Sequence, residues 1–400
     1  TAVGKDALTA NTTAADNVAV GFDSLKANTT GTRNIAIGRS ALEANTTADD
    51  NSALGTYALY ANTTGTSNTA MGYRALKSNT TADNNSAFGF EALLANTTGA
   101  SNVAVGKDAL IANTTGTANT AVGMDALTAN TTANSNTAIG KDSLLANTTG
   151  TRNTAVGASA LKTVTTASYN TSVGNDSLGV NTGASNTAVG DQALAANSTG
   201  ANNVGIGAAS LDANTTGDNN VGLGTNALSA NTTAEANTAV GVNALLANTT
   251  GAYNTAVGMA ALDANTTGVR NAAFGHNTMG ANTTGNYNTG LGRDALHKNT
   301  TADNNVAVGY GALYENLTGA SNTAIGASSL TANTTAANNT SVGQQSMESN
   351  TTGASNTAVG QGSLNANTTA AYNTAIGAVA LAANTTGTRN DALGYQAGTA

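Results

Sequence analysis

The sequence contains no cysteine, no proline and no tryptophan, and only 9% of its 400 residues are charged. The absence of cysteine excludes a disulfide framework and a thiolate metal site. Aromatic residues make up 4% of the chain, so few large side chains are available for a thick core. Gly, Ala, Asn and Thr dominate instead, and this composition argues against ordinary globular domains.

Positive charge is sparse, and no stretch of the chain is basic. The net charge of -8 is small for this length and is scattered. These features argue against nucleic acid and anionic membranes as partners, because both are bound through clusters of Lys and Arg. The longest apolar runs are only a few residues, too short to cross a bilayer, so we expect no membrane insertion.

A tandem repeat organises the whole chain. Asn17-Val-Ala-Val-Gly recurs from Asn34 and onward to Asn390, with a spacing of 17 residues and a single interval of 16 after Asn170. With this Asn as position 1, the consensus is N-T-A-V-G-x-x-A-L-x-A-N-T-T-G-x-x. No linker interrupts the repeats, so we predict one array over residues 1–400, a fragment of a longer fibre.

The positions of the repeat differ sharply in what they tolerate. Positions 1, 5, 9 and 12 are almost always Asn, Gly, Leu and Asn, and position 4 is always a large apolar residue. Nearly all charge falls at positions 6, 7, 10, 16 and 17. The restricted positions are predicted to lie inside a coil and to form ladders along the stack. Their first members are Asn17, Gly21, Leu25, Asn28, Asn34, Gly38, Leu42 and Asn45.

The repeat predicts a mainly β tandem-repeat solenoid, a β-roll or β-helix with 17 residues per coil. Positions 1 to 5 read as a strand, with positions 2 and 4 on one face and the position-4 side chain in the core beside Leu. Gly at position 5 suits a turn that needs positive φ. Restriction at positions 5, 8, 9 and 12 has helical spacing and favours a one-turn helix over a second strand. Asn at position 12 would end that helix in the left-handed conformation.

Position 3 is always Ala, Ser or Gly, so its face of the strand is uniformly small. Another backbone must pack closely there, from a neighbouring chain or from the rest of the same coil. Thin coils together with this small-residue face favour side-by-side self-association, as a homotrimer or a filament. The segment from Leu161 to Gly183 lacks the position-12 Asn and then one residue, so a bulge or a tightened turn is expected there without a break.

The Asn-Thr-Ala-Val-Gly unit resembles the Asn-Ser-Val-Ala-Ile-Gly motif of trimeric autotransporter adhesin heads. The full unit, as in the segment that starts at Asn68, also resembles repeats of phage tail-fibre-like proteins. The resemblance covers the whole chain and implies a left-handed parallel β-roll, three associated chains, and an extracellular location on a cell surface or a virion. The unit is longer than the usual adhesin-head unit.

No catalytic, cofactor-binding or metal-binding residue emerges from the sequence. The two histidines, His276 and His297, fall at the variable positions 6 and 10. The recurrent Asp at position 7 has a weak precedent in calcium-binding solenoids, but neighbouring coils often lack acids, which favours a solvated face. We therefore expect no enzyme.

The position-12 Asn also begins an Asn-Thr-Thr sequon in nearly every coil. Buried Asn and Thr ladders explain this pattern equally well. Candidate glycosylation sites are Asn11, Asn28, Asn45, Asn62 and Asn316.

Two functions from different classes fit these features. The first is a structural shaft of an extracellular filament, adhesin or tail fibre. The alternative is a binding module that presents Thr and Asn arrays to a surface glycan or to ice. Ice-type arrays need Thr at i and i+2 on one flat face, and the adjacent Thr pair at positions 13 and 14 can present only one outward.

Overall fold

A computed structural model describes residues 1–398 and contains two compact units, Thr1–Gly200 and Ala201–Ala400. Each unit is a β-solenoid built from one short strand per repeat. No helix occurs between residues 1 and 398. The predicted fold class, a mainly β tandem-repeat solenoid with 17 residues per coil, is confirmed.

The first unit contains twelve strands, which lie at positions 2 to 4 of the repeat except that β1 covers positions 3 and 4. They are β1 (Ala2–Val3), β2 (Val18–Val20), β3 (Ile35–Ile37), β4 (Ser52–Leu54), β5 (Thr69–Met71), β6 (Ser86–Phe88), β7 (Val103–Val105), β8 (Thr120–Val122), β9 (Thr137–Ile139), β10 (Thr154–Val156), β11 (Thr171–Val173) and β12 (Thr187–Val189).

The second unit repeats the arrangement with twelve more strands. They are β13 (Val204–Ile206), β14 (Val221–Leu223), β15 (Thr238–Val240), β16 (Thr255–Val257), β17 (Ala272–Phe274), β18 (Thr289–Leu291), β19 (Val306–Val308), β20 (Thr323–Ile325), β21 (Thr340–Val342), β22 (Thr357–Val359), β23 (Thr374–Ile376) and β24 (Asp391–Leu393).

Within each unit, consecutive strands pair in parallel and in register. Val18 lies opposite Ile35, and in the second unit Thr238 lies opposite Thr255. Backbone hydrogen bonds continue the ladder outside the strands, as from the Leu25 N–H to the Ala41 carbonyl at 2.9 Å. Each coil therefore bonds to its neighbours around much of its circumference, which compensates for strands of only three residues.

The orientation of the strand differs from the prediction. Position 3 points into its own coil, where Ala19 and Ala36 are completely buried, whereas Ile35 and Ile37 are 42% and 38% exposed. The position-4 side chain is therefore not part of the core. The interior of the coil is filled by the position-9 Leu, such as Leu42, so only a small side chain fits on the strand side.

The predicted one-turn helix at positions 6 to 12 is wrong. Successive turns occupy this segment, and positions 7 and 9 adopt the left-handed conformation, as in Asp23 (φ 57°) and Leu25 (φ 50°). The alternating left-handed residues bury positions 8, 9 and 12, whereas position 5 is partly exposed and is restricted by its contact with the next coil. The restricted positions together imitate the spacing of a helix. A left-handed Leu is uncommon, and here the ladder bond from its N–H holds it in place.

The conformation predicted for Asn at position 12 is also wrong, because Asn28 and Asn45 do not have positive φ. Instead, the N–H of Asn28 donates to the Leu25 carbonyl at 3.3 Å and closes the turn. Positive φ at position 5 is confirmed. At Gly21 φ is 136°, and a Cβ there would lie 2.6 Å from the carbonyl oxygen of Gly38 in the next coil.

The irregular segment between Leu161 and Gly183 leaves the ladder intact, as predicted. Strands β10, β11 and β12 stay paired, and Thr171 lies opposite Thr187. The missing residue falls after the position-12 Asn. Asn181 closes a tighter turn, in which its Nδ2 donates to the Gly183 carbonyl at 2.7 Å and its Oδ1 accepts from the Gly183 N–H at 3.2 Å.

Candidate association face and the ladders behind it

The position-12 asparagines form a side-chain ladder through the interior. Asn45 is completely buried, and its Nδ2 donates to the Oδ1 of Asn28 in the preceding coil at 2.9 Å. The Nδ2 of Asn62 donates in turn to the Oδ1 of Asn45 at 3.1 Å. Because Asn45 both donates and accepts, burial leaves its amide satisfied. The ladder is interrupted at Val164, so the buried Oδ1 of Asn147 in the preceding coil has no donor.

The position-1 asparagines form a second ladder with different chemistry. The Oδ1 of Asn17 accepts the backbone N–H of Asn34 at 2.8 Å, and the Nδ2 of Asn17 donates to the Gly31 carbonyl at 2.8 Å. One side chain thus ties the start of the next strand to the far side of its own coil. The two bonds use an acceptor and a donor on separate atoms, which the side chain of Asn carries and the single hydroxyl of Ser or Thr does not.

The side chains at positions 2 and 4 of the strands point away from the coil interior. We call the surface that they form the outward face. No charged residue occupies it from β1 to β23, and Asp391 in β24 is the first. Position 4 is a column of large apolar side chains that stay partly exposed, including Leu54 at 43% and Leu291 at 51%. Position 2 carries Thr or Val in most coils.

A run of large apolar side chains on the outward face lies in the first unit. Ile35, Ile37, Leu54 and Met71 line a shallow groove of about 190 Å³ across β3, β4 and β5. Phe88 continues the column in β6 and is 36% exposed. Soluble chains rarely expose such a continuous apolar surface unless another molecule covers it. Alternation along the strand could have revealed this face, but the prediction assigned it to the core.

The candidate glycosylation sites lie in the position-12 ladder. Asn28, Asn45, Asn62 and Asn316 are completely buried, and Asn11 is partly exposed. The Nδ2 of each of these four donates two hydrogen bonds, and a glycan on it would replace one of the two hydrogens. Glycosylation would therefore cost the side chain one of these hydrogen bonds, and glycosylation stays a prediction.

The two histidines lie in neighbouring coils, at different positions of the repeat. His297 stacks on Tyr314 with ring centroids 5.1 Å apart, and its Nδ1 lies 3.2 Å from the Asn277 carbonyl oxygen. His276 is half-buried at position 6. Within residues 1–398, no group of three His, Cys, Asp or Glu side chains is placed to hold a metal ion.

Two carboxylates have pKa values shifted in opposite directions. Partial burial raises the pKa of Asp263, with smaller opposing contributions from backbone hydrogen bonds and from His297. In contrast, a side-chain hydrogen bond from Arg33 lowers the pKa of Asp50, since the guanidinium contacts its two carboxylate oxygens at 2.6 and 2.9 Å. The Arg33–Asp50 pair is exposed, so it adds little stability.

Other ion pairs lie within one coil, as between Lys26 and Asp23, or join neighbouring coils. Lys298 contacts Glu315 at 2.7 Å, and Arg74 contacts Glu91 at 3.2 Å. Two charged residues, Lys26 and Glu43, line one surface groove of the first unit. The ion pairs between coils support stacking.

No helix within residues 1–398 has the length and apolar character needed to cross a membrane. No protein-family model and no curated protein matches the chain.

Proposed function

We propose that this chain is the structural shaft of an extracellular filament, of the kind that carries an adhesin or a tail fibre. The observation that carries the proposal is the outward face, which is uncharged over 23 consecutive strands yet keeps a column of half-exposed apolar side chains. Charge is tolerated at the other outward positions. A face that excludes charge without being buried in its own coil is suited to contact with another protein surface.

The partner in this proposal is a second copy of the chain, which makes the shaft a homo-oligomer. The outward face repeats at the same interval in every copy of the chain. When two copies lie side by side, the apolar side chains of one therefore meet those of the other in each coil. A stable interface buries about 800 Å² on each partner. A face present on every coil reaches that area by extending along the stack.

The proposed stoichiometry is three, and it rests on the resemblance to trimeric adhesin heads. The small-residue face at position 3 no longer supports it, because those residues pack inside their own coil. Left-handed coiling and the extracellular location rest on the same resemblance. Sedimentation equilibrium of the purified chain counts the copies directly, and a monomer at micromolar concentration would exclude the proposal.

A passive role without catalysis is part of the same proposal. The ladders of Asn, Gly and Leu hold the coils together. Titratable groups occupy the positions of the repeat that vary most. Replacing both His276 and His297 with Ala should leave assembly unchanged. A loss of any measurable enzymatic activity in that variant would contradict the passive role.

The second candidate is a binding module, and one observation favours it. From β8 to β12, five consecutive strands present Thr at position 2 and Val or Ile at position 4 on the outward face. This is a regular grid of hydroxyl and methyl groups. An ice-type array needs Thr at both positions, whereas position 4 carries Val or Ile here. Thermal hysteresis of the purified chain tests ice binding, and an unaltered freezing point alongside an oligomer would leave the shaft as the function.

A further inference from the structure

Cations and aromatic rings alternate from coil to coil near the start of the first unit. The row consists of Lys5, Phe22, Arg39, Tyr57 and Lys77, one from each of five consecutive coils. We call it the basic–aromatic ridge. It lies at positions 6, 7 and 10, outside the outward face that the shaft proposal uses.

Each ring of the ridge contacts the cation on either side. The Lys5 Nζ lies 5.5 Å from the centroid of the Phe22 ring, and the Arg39 guanidinium lies 5.9 Å from the same centroid. The Tyr57 ring lies 5.8 Å from Arg39 and 5.9 Å from the Lys77 Nζ. These cation–π contacts hold the five side chains in fixed order along the stack.

The three cations of the ridge differ from most others in the chain. Lys26, Arg33, Arg74 and Lys298 each pair with a carboxylate. Lys5, Arg39 and Lys77 pair with none among the described residues, although the net charge of the chain is -8. Three ordered, unpaired cations in an acidic protein are suited to an external anion.

A groove runs beside the ridge in the same coils. Its floor is a column of position-11 alanines, and the rings of Tyr57 and Tyr60, with centroids 5.6 Å apart, connect it to the ridge. The groove encloses about 630 Å³. It is lined by Thr9, Ala10, Lys26, Ala27, Glu43, Ala44, Tyr60 and Ala61.

We propose that the ridge and groove together bind a linear acidic glycan, which lies along the stack of coils. Its carboxylates would contact Lys5, Arg39 and Lys77, and the apolar faces of its sugar rings would lie on the aromatic rings and the alanine floor. Successive cations of the ridge are two coils apart, roughly 10 Å, and an aromatic ring separates them. A glycan with a carboxylate on every second sugar has the same alternation.

Nucleic acid fits the ridge less well. Single-stranded nucleic acids also use cations and stacked rings, but they carry a charge on every nucleotide and are bound along grooves with many Lys and Arg. Three unpaired cations on a chain of net charge -8 match a sparsely charged polymer better.

The test is calorimetric titration of the full chain with hyaluronan oligosaccharides, in which every second sugar carries a carboxylate. Neutral dextran and an oligothymidylate serve as comparison ligands. We expect hyaluronan to bind and dextran not to bind. Arg39→Ala should weaken hyaluronan binding roughly tenfold, because it removes one charge-assisted contact. Phe22→Ala should also weaken it.

Arg270→Ala provides the matched control. Arg270 is likewise flanked by two rings, Tyr253 and Tyr287, at 5.4 and 5.5 Å, but it lies at position 17 of the second unit. This variant should bind hyaluronan like the unchanged chain. No binding of hyaluronan, equal binding by the Arg39→Ala variant, or tighter binding of the oligothymidylate would each overturn the proposal. Sedimentation of the same samples reports self-association separately, so the two proposals can fail independently.

Discussion

Asn34 and Asn45 donate their side-chain amides to the same acceptor, the carbonyl oxygen of Ala48, at 2.8 and 3.1 Å. The two Asn ladders therefore converge on position 15 in most coils, although the Nδ2 atoms of Asn85, Asn305 and Asn373 make no such bond. Asn45 also donates to the Oδ1 of Asn28, so one side chain links two coils and closes its own. This convergence explains why both positions require Asn, and why a thin coil holds its shape with one Leu at its centre.

Replacing Asn45 with Ala tests the position-12 ladder. The change removes three hydrogen bonds and leaves the buried Oδ1 of Asn28 without its donor. We expect the free energy of unfolding to fall by about 2–4 kcal/mol, measured by urea denaturation. The control is Thr47→Ala, at an exposed position two residues on, which should change it by less than about 0.5 kcal/mol. Equal effects of the two changes would show that the ladder is not a source of stability.

Burial at position 9 is tested by a pair of neighbouring leucines. Leu144 is completely buried, whereas Leu145 at position 10 is partly exposed. Leu144→Asp places an unpaired carboxylate in the interior and should cost more than about 4 kcal/mol or prevent folding. Leu145→Asp leaves the carboxylate in water and should cost roughly 1 kcal/mol or less. Thermal unfolding followed by circular dichroism distinguishes them, and similar melting temperatures would refute this core.

Close contact between coils at position 5 is tested by two glycines of one coil. Gly309 has φ 130°, and an added Cβ would lie 2.7 Å from the carbonyl carbon and oxygen of Gly326. Gly311 has φ 61° and open space around it. We expect Gly309→Ala to destabilise the chain by about 3 kcal/mol or more and Gly311→Ala by about 1 kcal/mol or less. The midpoints of urea unfolding measure both, and the reverse order would contradict the ladder.

The raised pKa of Asp263 predicts a pH dependence. Burial disfavours its ionised form, so its pKa in the folded chain exceeds the ordinary value of 3.8. As the pH rises, the carboxyl group of Asp263 therefore loses its proton in the unfolded chain before it does so in the folded chain. Its contribution to the free energy of unfolding falls from the unfolded pKa up to the folded pKa and stays low at higher pH. Asp263→Asn should therefore gain stability relative to the unchanged chain from pH 3 to pH 6, measured by urea unfolding. A constant difference over that range would show that the carboxylate is not the cause.

Much of the fold could be predicted from the sequence, because each buried ladder requires one residue type in every coil. Asn28, Gly21 and Leu25 are fixed for that reason, and their restriction gave the coil length and the strand. The orientation of the strand could not be predicted in the same way. The positions of Ala19 and Val20 both accept few residue types. The larger apolar side chain is the usual choice for a core residue, so the sequence favours Val20. The coil interior has room only for the smaller Ala19.

The turn segment was mispredicted for a different reason. Left-handed residues at positions 7 and 9 bury positions 8, 9 and 12, and close contact with the next coil restricts position 5. The pattern of restriction is therefore the same as for a helical turn. Leu25 has no local preference for φ of 50°, and only its bond to the next coil imposes it. The basic–aromatic ridge depends on contacts between Phe22, Arg39 and Tyr57, which do not all share one position of the repeat. Comparing residues at one position at a time does not reveal such contacts.

The outward face carries the central claim, that copies of this chain associate into a shaft. Lysine at position 4 would place charges in that interface while leaving the coil interior unchanged. The variant is Ile37→Lys with Leu54→Lys, two partly exposed residues of neighbouring coils. Its control is Val242→Lys, an apolar residue of 47% exposure at position 6, outside the outward face.

Sedimentation velocity of these proteins at micromolar concentration is the most direct test. The unchanged chain and the Val242→Lys control should sediment as one oligomer, a trimer if the resemblance to adhesin heads holds. The Ile37→Lys, Leu54→Lys variant should keep its circular dichroism spectrum and shift toward the monomer. A monomeric unchanged chain, or a double variant that associates as strongly as the control, would contradict the account.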